Sequence, residues 1–242
     1  MPPIRVRIAE RLRASLGQSR TAQSIRFVQR GNARLRRRRL SAALEAFSDA
    51  LTLDPGNAVA WNNRGLVLEA LGRAEEALRC FNRALGIRPG YVDAWINKGL
   101  VLLHIGKQDL SIGCFDNALR LDPENELALV NRGVALTDRG EFAEALDHFE
   151  QAIERDPTFA LAWMNKATTL AHQGRHEEAV RAYDEALRRR PDSPDMLYRK
   201  ALSLAAIGQR DTAQTILGRA LQIRSKFPEA EWALSGLREG GM

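Results

Sequence analysis

Four asparagines recur in this 242-residue sequence at a constant spacing of 34 residues: Asn63, Asn97, Asn131 and Asn165. An asparagine amide both donates and accepts hydrogen bonds, so a row of amides can bind the backbone of an extended peptide whatever its side chains. Asparagine is also a poor residue for a helix interior, yet each copy lies in a helical pattern. The row therefore predicts a peptide-binding role, and the alternative is that the amides brace neighbouring helices or are simply solvated.

Two short motifs suggest catalysis, but neither has the spacing that the chemistry needs. Gly106-Lys107 lacks both the upstream glycine and the following hydroxyl residue of a phosphate-binding loop. His176-Glu177 begins like the helix of a zinc protease, but Val180 stands where the second histidine is required. We therefore expect a protein that is not an enzyme, with no catalytic residue, no cofactor and no small-molecule substrate.

Cys80, Cys114 and His148 occupy one position in successive 34-residue periods. Neighbouring helices pack about 10 Å apart, which is too far for a disulfide and for shared ligation of one metal ion. We expect reduced thiols and no metal site, as is usual inside the cell. The sequence also has no apolar run of membrane-spanning length and no secretory signal, which predicts a cytoplasmic location.

The 34-residue period defines six repeats, of which the last is the weakest: 24–57, 58–91, 92–125, 126–159, 160–193 and 194–227. Within a repeat, position 4 is large and apolar, positions 8, 20 and 27 are small, and position 32 is proline in the first five. Position 24 is aromatic in the same five repeats: Phe47, Phe81, Phe115, Phe149 and Tyr183. These stripes indicate two amphipathic helices per repeat, which must stack to bury their apolar faces.

This pattern resembles the tetratricopeptide repeat family. The resemblance covers residues 24–227 and implies an all-α fold, a right-handed α-solenoid of about six stacked helical hairpins. We expect a basic N-terminal helix or extension over residues 1–23, and a capping helix with a short tail over residues 228–242. The resemblance further implies a non-enzymatic scaffold or adaptor for protein–protein interaction, and it places the asparagine row along the inner, concave face.

Positions 5 and 9 flank the asparagines and predict an apolar groove for a peptide with apolar side chains. The predicted groove residues are Asn63, Asn97, Asn131, Asn165, Arg199, Asn62, Leu66, Ile96, Leu100, Val130, Val134, Met164 and Tyr198. Some members of the family grip a C-terminal carboxylate through basic residues on this face, but here only Arg199 is basic. His104 and His172 lie near the rim of the predicted groove, where solvated side chains are the usual finding.

Position 7 forms a second column, which is basic throughout: Arg30, Arg64, Lys98, Arg132, Lys166 and Lys200. This position borders the packed face. A charged side chain there must either be paired or pack its methylene groups on the protein and place its charged end in solvent. The polar residues at position 25 are the predicted partners: Asn82, Asp116, Glu150 and Asp184. Phosphate binding in the groove is the alternative.

The first 39 residues carry twelve arginines and one acidic residue, whereas the rest of the chain has a net charge of −5. One apolar stripe, Ile4, Ile8, Leu12 and Leu16, indicates a basic amphipathic helix. It could cap the first repeat, bind a nucleic acid or an anionic membrane, or serve as a transit peptide. The candidate residues for binding an anionic surface are Arg5, Arg7, Arg11, Arg13, Arg36, Arg37, Arg38 and Arg39. In this rival function the repeats serve as a spacer.

Overall fold

A computed structural model describes the backbone of residues 4–239 and the side chains of residues 19–239. These residues form α-helices and no strand, which confirms the predicted all-α solenoid of helical hairpins. The helices are α1 (Ile4–Arg36), α2 (Leu40–Leu53), α3 (Ala58–Ala70), α4 (Ala74–Ile87), α5 (Val92–His104), α6 (Gln108–Leu121), α7 (Glu126–Arg139), α8 (Phe142–Arg155), α9 (Ala160–His172), α10 (His176–Arg189), α11 (Pro194–Ala206), α12 (Arg210–Ile223) and α13 (Pro228–Arg238).

The chain divides into two compact halves, Met1–Leu121 and Asp122–Met242. Within each half, every helix packs on the next one in the chain. The first helices of successive hairpins also touch each other, which brings together α1, α3 and α5 in the N-terminal half and α7, α9, α11 and α13 in the C-terminal half. Residues at the same repeat position on these first helices therefore lie in rows.

Each of the first four hairpins is closed by a phenylalanine ring that packs on a glycine of the partner helix. The pairs are Gly31–Phe47, Gly65–Phe81, Gly99–Phe115 and Gly133–Phe149. A Cβ atom on Gly99 would lie 2.5 Å from Cε1 of Phe115, and the ring is fully buried. The small residue at position 8 and the aromatic residue at position 24 thus form one contact. Protein interiors are close-packed, so in these four hairpins the ring occupies the space that a side chain on the facing residue would need.

The turn inside each hairpin contains one residue with a left-handed backbone. In repeats 2 to 6 this residue is glycine, with φ between +74° and +84°: Gly72, Gly106, Gly140, Gly174 and Gly208. In the first repeat Arg38 takes the position, with φ of +54°. A residue with a side chain is disfavoured in this region by about 1 kcal/mol. The first turn is therefore strained where the other five are relaxed.

Tryptophan at position 4 links a hairpin to the loop before it. The indole Nε1 donates to the carbonyl oxygen of the proline six residues earlier. These bonds are Trp61 to Pro55 at 2.9 Å, Trp95 to Pro89 at 2.9 Å and Trp163 to Pro157 at 3.2 Å. The indole thus fills the space between hairpins and satisfies a loop carbonyl at the same time. Repeats 1, 4 and 6 have Phe27, Leu129 and Leu197 at position 4, which cannot form this bond.

The N-terminal helix α1 runs without a break across the predicted boundary between the extension, 1–23, and the repeat region, which was predicted to begin at residue 24. The fully buried Ser24 fixes α1 on α2, because its Oγ donates to the carbonyl oxygen of Ala50 at 2.9 Å. The side chains of Arg5, Arg7, Arg11 and Arg13 and of the apolar stripe beside them lie outside the described residues. The function of that segment stays a prediction.

Helix α13 closes the C-terminal half. It buries Ala230, Ala233 and Leu237 against α11 and α12, in a cluster that includes Leu217. Its outer side carries charged residues and Trp232, which is 70% exposed. Across the described residues, every helix is too short or too polar to cross a lipid bilayer.

The glycine–aromatic contact predicts opposite effects for two alanine substitutions in one hairpin. Gly99→Ala should lower the free energy of unfolding by about 1 to 3 kcal/mol, because the new methyl group overlaps the Phe115 ring. Gly113→Ala is the matched control, since a Cβ there meets nothing within 4 Å, and it should raise stability by about 0.5 to 1 kcal/mol. Urea unfolding followed by circular dichroism measures both. Equal effects of the two substitutions would contradict the packing described here.

Candidate functional site

The asparagine row lies on the first helices of four successive hairpins, α3, α5, α7 and α9. All four side chains, Asn63, Asn97, Asn131 and Asn165, are half-buried. Each half of the chain holds two of them, and the two halves use their amides differently.

In the N-terminal half, four asparagines form one hydrogen-bonded relay across α5, α3 and α1. Asn97 Nδ2 donates to Asn62 Oδ1 at 3.0 Å, Asn62 Nδ2 donates to Asn63 Oδ1 at 3.1 Å, and Asn63 Nδ2 donates to Asn32 Oδ1 at 2.8 Å. Asn62 is only 3% exposed. A buried amide must find partners inside the protein, and Asn62 finds one on each side. The amide relay therefore braces three helices, which was the alternative to peptide binding.

The relay also fixes the amides at its two ends. It uses one N–H group of Asn97 and the oxygen of Asn32, so the Asn97 oxygen and the Asn32 N–H groups remain outside it. Both end residues are half-buried and reach the surface. An amide held in place by a neighbour loses less conformational entropy on binding than a mobile one. Bracing and ligand binding are therefore compatible at the ends of the relay.

In the C-terminal half, Asn131 bonds within its own helix, since its Nδ2 donates to the carbonyl oxygen of Leu127 at 2.8 Å. Asn165 instead lines a cleft of about 240 Å³ between α7, α9 and α11, which we call the Asn165 cleft. Its other lining residues include Val134, Met164, Thr168, His172 and Arg199. The cleft thus gathers four residues of the predicted groove around one cavity: Val134, Met164, Asn165 and Arg199.

A threonine and a tyrosine support the floor of the Asn165 cleft. Thr168 Oγ1 and the Tyr183 hydroxyl are 3.0 Å apart. Burial raises the pKa of Tyr183, although its contact with Thr168 and the charge of Arg199 act in the opposite direction. The hydroxyl therefore stays protonated and neutral at physiological pH. The cleft is also lined by one cation, Arg199, and one carboxylate, Asp138, both of which are exposed.

Three predicted groove residues lie in the packed interior instead. Asn62, Ile96 and Val130, all at position 5, are 3%, 2% and 0% exposed. Because position 5 lies one residue nearer the packed face than the asparagines, these side chains turn between neighbouring helices and offer no surface to a ligand. The other two residues at this position, Met164 and Tyr198, are half-buried and remain candidates.

Half-buried leucines accompany the relay on α3 and α5. Leu66 and Leu100, at position 9, keep part of their surface exposed. Near them, burial raises the pKa of Glu69, an effect that the positive charge of His104 opposes. The N-terminal half therefore also presents amides beside partly exposed apolar side chains.

The basic column at position 7 is paired by position 25 in two repeats. Lys166 Nζ lies 2.8 Å from Glu150 and Lys200 Nζ lies 2.6 Å from Asp184. Arg132 instead contacts Glu144, at position 19 of its own repeat, at 2.6 Å. The prediction of an ion-pair column is thus confirmed for the two lysines, and Arg132 shows a second way to pair. Lys98 lies over the Trp95 ring, 5.3 Å from its centre.

Neither cysteine is part of a disulfide, as the sequence predicted. Cys80 and Cys114 are both buried and free. Burial raises the pKa of both thiols, so they are neutral at physiological pH and poor nucleophiles. Among the described residues, no group of three or more histidine, cysteine or acidic side chains could hold a metal ion.

Sequence comparison assigns the chain to a family. Models of the tetratricopeptide repeat match residues 28–92, 75–126, 96–158 and 130–194, and a second model of the same repeat matches residues 170–237. The chain belongs to the tetratricopeptide repeat family. A search of curated proteins finds no match to this sequence.

Several solved structures share the fold. The APC/C hetero-tetramer Cut9-Hcn1 aligns with a TM-score of 0.81 and 19% identity, over 89% of this chain and 43% of that chain. The type IV pilus biogenesis factor PilW aligns with a TM-score of 0.81 and 24% identity, over 87% of this chain and 98% of that chain. YrrB, described as a TPR protein with an unusual peptide-binding site, aligns with a TM-score of 0.56 and 23% identity, over 78% of this chain and 98% of that chain. At these identities the similarity shows the fold alone.

The relay predicts that Asn62 and Asn97 contribute to stability as a pair. A double-mutant cycle of Asn62→Ala and Asn97→Ala should give a coupling energy of about 1 kcal/mol, because each substitution removes the same hydrogen bond. The control cycle pairs Asn62→Ala with Asn131→Ala, whose amide bonds within its own helix, and should give a coupling near zero. Urea unfolding measures both cycles. A coupling for the first pair no larger than that for the control would contradict the relay.

Proposed function

We propose that this protein is a non-enzymatic scaffold or adaptor that binds an extended peptide segment with apolar side chains on the face carrying the asparagine row. The observation that carries the proposal is the Asn165 cleft, which joins an amide to apolar walls at the surface. The family assignment supports a partner that is a protein or a peptide, and YrrB provides a family member described as peptide-binding.

The lining of the Asn165 cleft suggests how a peptide would be held. Val134 and Met164 offer apolar surface for one side chain of the peptide, and methionine adapts readily to different shapes. The Asn165 amide can hydrogen-bond a peptide N–H or C=O group, which fixes the backbone without regard to sequence. Arg199 and Asp138 both line the cleft, so it presents one cation and one carboxylate and can accept a peptide residue of either charge.

The N-terminal half, taken by itself, offers a peptide the same combination of groups. Asn97 and Asn63 lie beside Leu100 and Leu66, so amides again alternate with apolar surface. The relay restricts Asn63 more than Asn97, because both the oxygen and one N–H group of Asn63 already have amide partners. We therefore infer that Asn97 contributes more to peptide binding than Asn63.

The proposal predicts which variants lose peptide binding. On a peptide array, Asn165→Ala should weaken binding about 5- to 10-fold, the effect of losing about one hydrogen bond. Met164→Asp should abolish it, because a charge would enter the apolar wall of the cleft. Asn131→Ala is the matched control and should have a smaller effect, since that amide already bonds to Leu127.

Circular dichroism would first establish that each variant remains folded. Array binding that survives both Asn165→Ala and Met164→Asp in folded protein would show that the cleft is not the peptide site.

The α1–α2 turn supports a second candidate function, binding of a nucleic acid or an anionic membrane. Arg36, Arg37, Arg38 and Arg39 are all exposed there. Arg38 holds the left-handed position that glycine occupies in the other five repeats. A strained residue at a position where glycine would be relaxed is a reason to look for a function, and four adjacent arginines attract phosphate groups. Under this proposal, the backbone strain at Arg38 is tolerated because the arginine side chain contributes to phosphate binding.

One substitution separates a functional role of Arg38 from a structural one. Arg38→Gly should raise the free energy of unfolding by about 1 kcal/mol by relieving the backbone strain. It should also weaken binding to single-stranded RNA or to phosphatidylserine vesicles at low salt, and lower the slope of log affinity against log salt by about 1. Lys107→Gln, which removes an exposed charge from another hairpin turn, is the control. No binding at low salt, or equal binding by the stabilised variant, would exclude this function.

A further inference from the structure

A second cavity, in the N-terminal half, is lined by three arginines and a tryptophan. It measures about 480 Å³ and lies between α3 and α4. Arg64, Arg79 and Arg83 line it together with Trp61, Cys80 and Glu76. We call it the Trp61 cleft. It lies on residues different from those of the asparagine row, so the peptide-binding proposal does not account for it.

Arg64 is held in the cleft without a strong acceptor. Its Nη1 lies 3.7 Å from the Cys80 sulfur, and its guanidinium lies over the Trp61 ring, 5.7 Å from the ring centre. Among the described residues, none accepts a hydrogen bond from its buried Nε atom. Burial raises the pKa of Cys80, so the neighbouring sulfur is a neutral thiol and does not balance the charge. A buried guanidinium N–H with no acceptor is costly and calls for an explanation.

In the fourth, fifth and sixth repeats, the cation at this position has a carboxylate partner. Glu150 serves Lys166, Asp184 serves Lys200, and Glu144 serves Arg132. In the second repeat the residue equivalent to Glu144 is Glu76, but Glu76 is bonded to Arg73 at 2.6 Å. The hydrogen bond to Arg73 is the main cause that lowers the pKa of Glu76. The residue equivalent to Glu150 is Ser48, which carries no charge.

The charge around Arg64 is also unusually positive. Arg79 and Arg83, at positions 22 and 26, are exposed side chains on α4 that line the same cavity. At the same positions the third repeat has Gly113 and Asn117, and the fourth has Asp147 and Gln151. Among the described residues, the lining of the Trp61 cleft therefore combines three cations with one carboxylate that is already paired, beside an indole ring.

The indole gives the cleft a fixed apolar wall. Trp61 Nε1 donates to the carbonyl oxygen of Pro55 at 2.9 Å, which holds the ring in place. A neighbouring cavity of about 500 Å³ shares Trp61, Asn82 and Arg83 with the Trp61 cleft. A ligand in the Trp61 cleft would thus meet guanidinium groups and the edge of an aromatic surface together.

We propose that the Trp61 cleft binds an oxyanion presented by a protein partner, either a carboxylate or a phosphate monoester, beside an apolar side chain. Arginine suits this role because its planar guanidinium donates paired hydrogen bonds to carboxylate and phosphate oxygens. The ligand would supply to Arg64 the acceptor that Glu150, Asp184 and Glu144 supply in other repeats. The site is distinct from the Asn165 cleft, so either proposal can fail without the other.

The test uses three capped five-residue peptides of sequence Ala-Leu-X-Leu-Ala, in which X is glutamate, phosphoserine or glutamine. Each peptide is titrated at low salt into the full-length ¹⁵N-labelled protein, and the resonances of the Arg64 Nε–H and the Trp61 indole N–H are followed. The glutamate or the phosphoserine peptide should shift both resonances and bind at least about 5-fold more tightly than the glutamine peptide. Tighter binding of one charged peptide identifies the preferred oxyanion. Equal binding of all three, or no shift of either resonance, would overturn the proposal.

Three variants test whether the charged peptides bind in this cleft, because they are expected to change Kd in different directions. Arg83→Gln should raise the Kd of the charged peptides about 5-fold by removing a cation from the cleft rim. Glu76→Gln should lower it about 3-fold, because it removes the only carboxylate lining the cavity. Arg120→Gln, an exposed arginine on α6 that does not line the cleft, makes the same charge change as Arg83→Gln and should alter Kd less than 2-fold. Equal effects of Arg83→Gln and Arg120→Gln, or a weakening by Glu76→Gln, would overturn the assignment to this cleft.

Discussion

The close approach of two helices in each hairpin is the contact on which the rest of the structure depends. It requires a small residue at position 8 that faces a large buried side chain at position 24. Four repeats combine glycine with phenylalanine, the fifth combines Ala167 with Tyr183, and the sixth combines Ala201 with Leu217. Once the two helices are locked, their apolar faces form one surface that the next hairpin covers. The opposite side of each first helix is then left for polar residues. The asparagine row and the Asn165 cleft lie on first helices held in this way.

Polar groups between the helices add order to this apolar packing. The amide relay joins α1, α3 and α5 through Asn97, Asn62, Asn63 and Asn32, and the tryptophan indoles bond to proline carbonyls between repeats. Hydrogen bonds need defined distances and angles, whereas apolar contacts tolerate small displacements. These bonds therefore fix the rotation of α1, α3, α5 and α9, and with it the direction of the side chains at their surfaces. Because the side chains of such a surface are already ordered, peptide binding carries a smaller entropic cost.

Much of the fold followed from the sequence, because the repeat constrains each position several times over. Phe81, Gly65 and Pro89 have counterparts in the neighbouring repeats, so their roles could be inferred from spacing alone. The errors fall where one residue of a helical turn decides between surface and interior. Ile96 and Val130 are one position away from the asparagines, and a rotation of about 100° per residue is enough to bury them. The 34-residue period also could not predict features that occur in one repeat only. The relay depends on Asn32 and Asn62, and the strained turn depends on Arg38, and none of these residues recurs at its position in the other repeats.

The central claim is that the Asn165 cleft receives a peptide side chain while the peptide backbone meets the asparagine amide. Intermolecular NOEs between the methyl-labelled full-length protein and a peptide selected by phage display test it most directly. The account predicts NOEs from the peptide to the Met164 and Val134 methyl groups and to the Asn165 side-chain amide, and none to the buried methyl groups of Ile96 and Val130. NOEs confined to other surfaces, with Met164 and Asn165 untouched in the saturated complex, would contradict it.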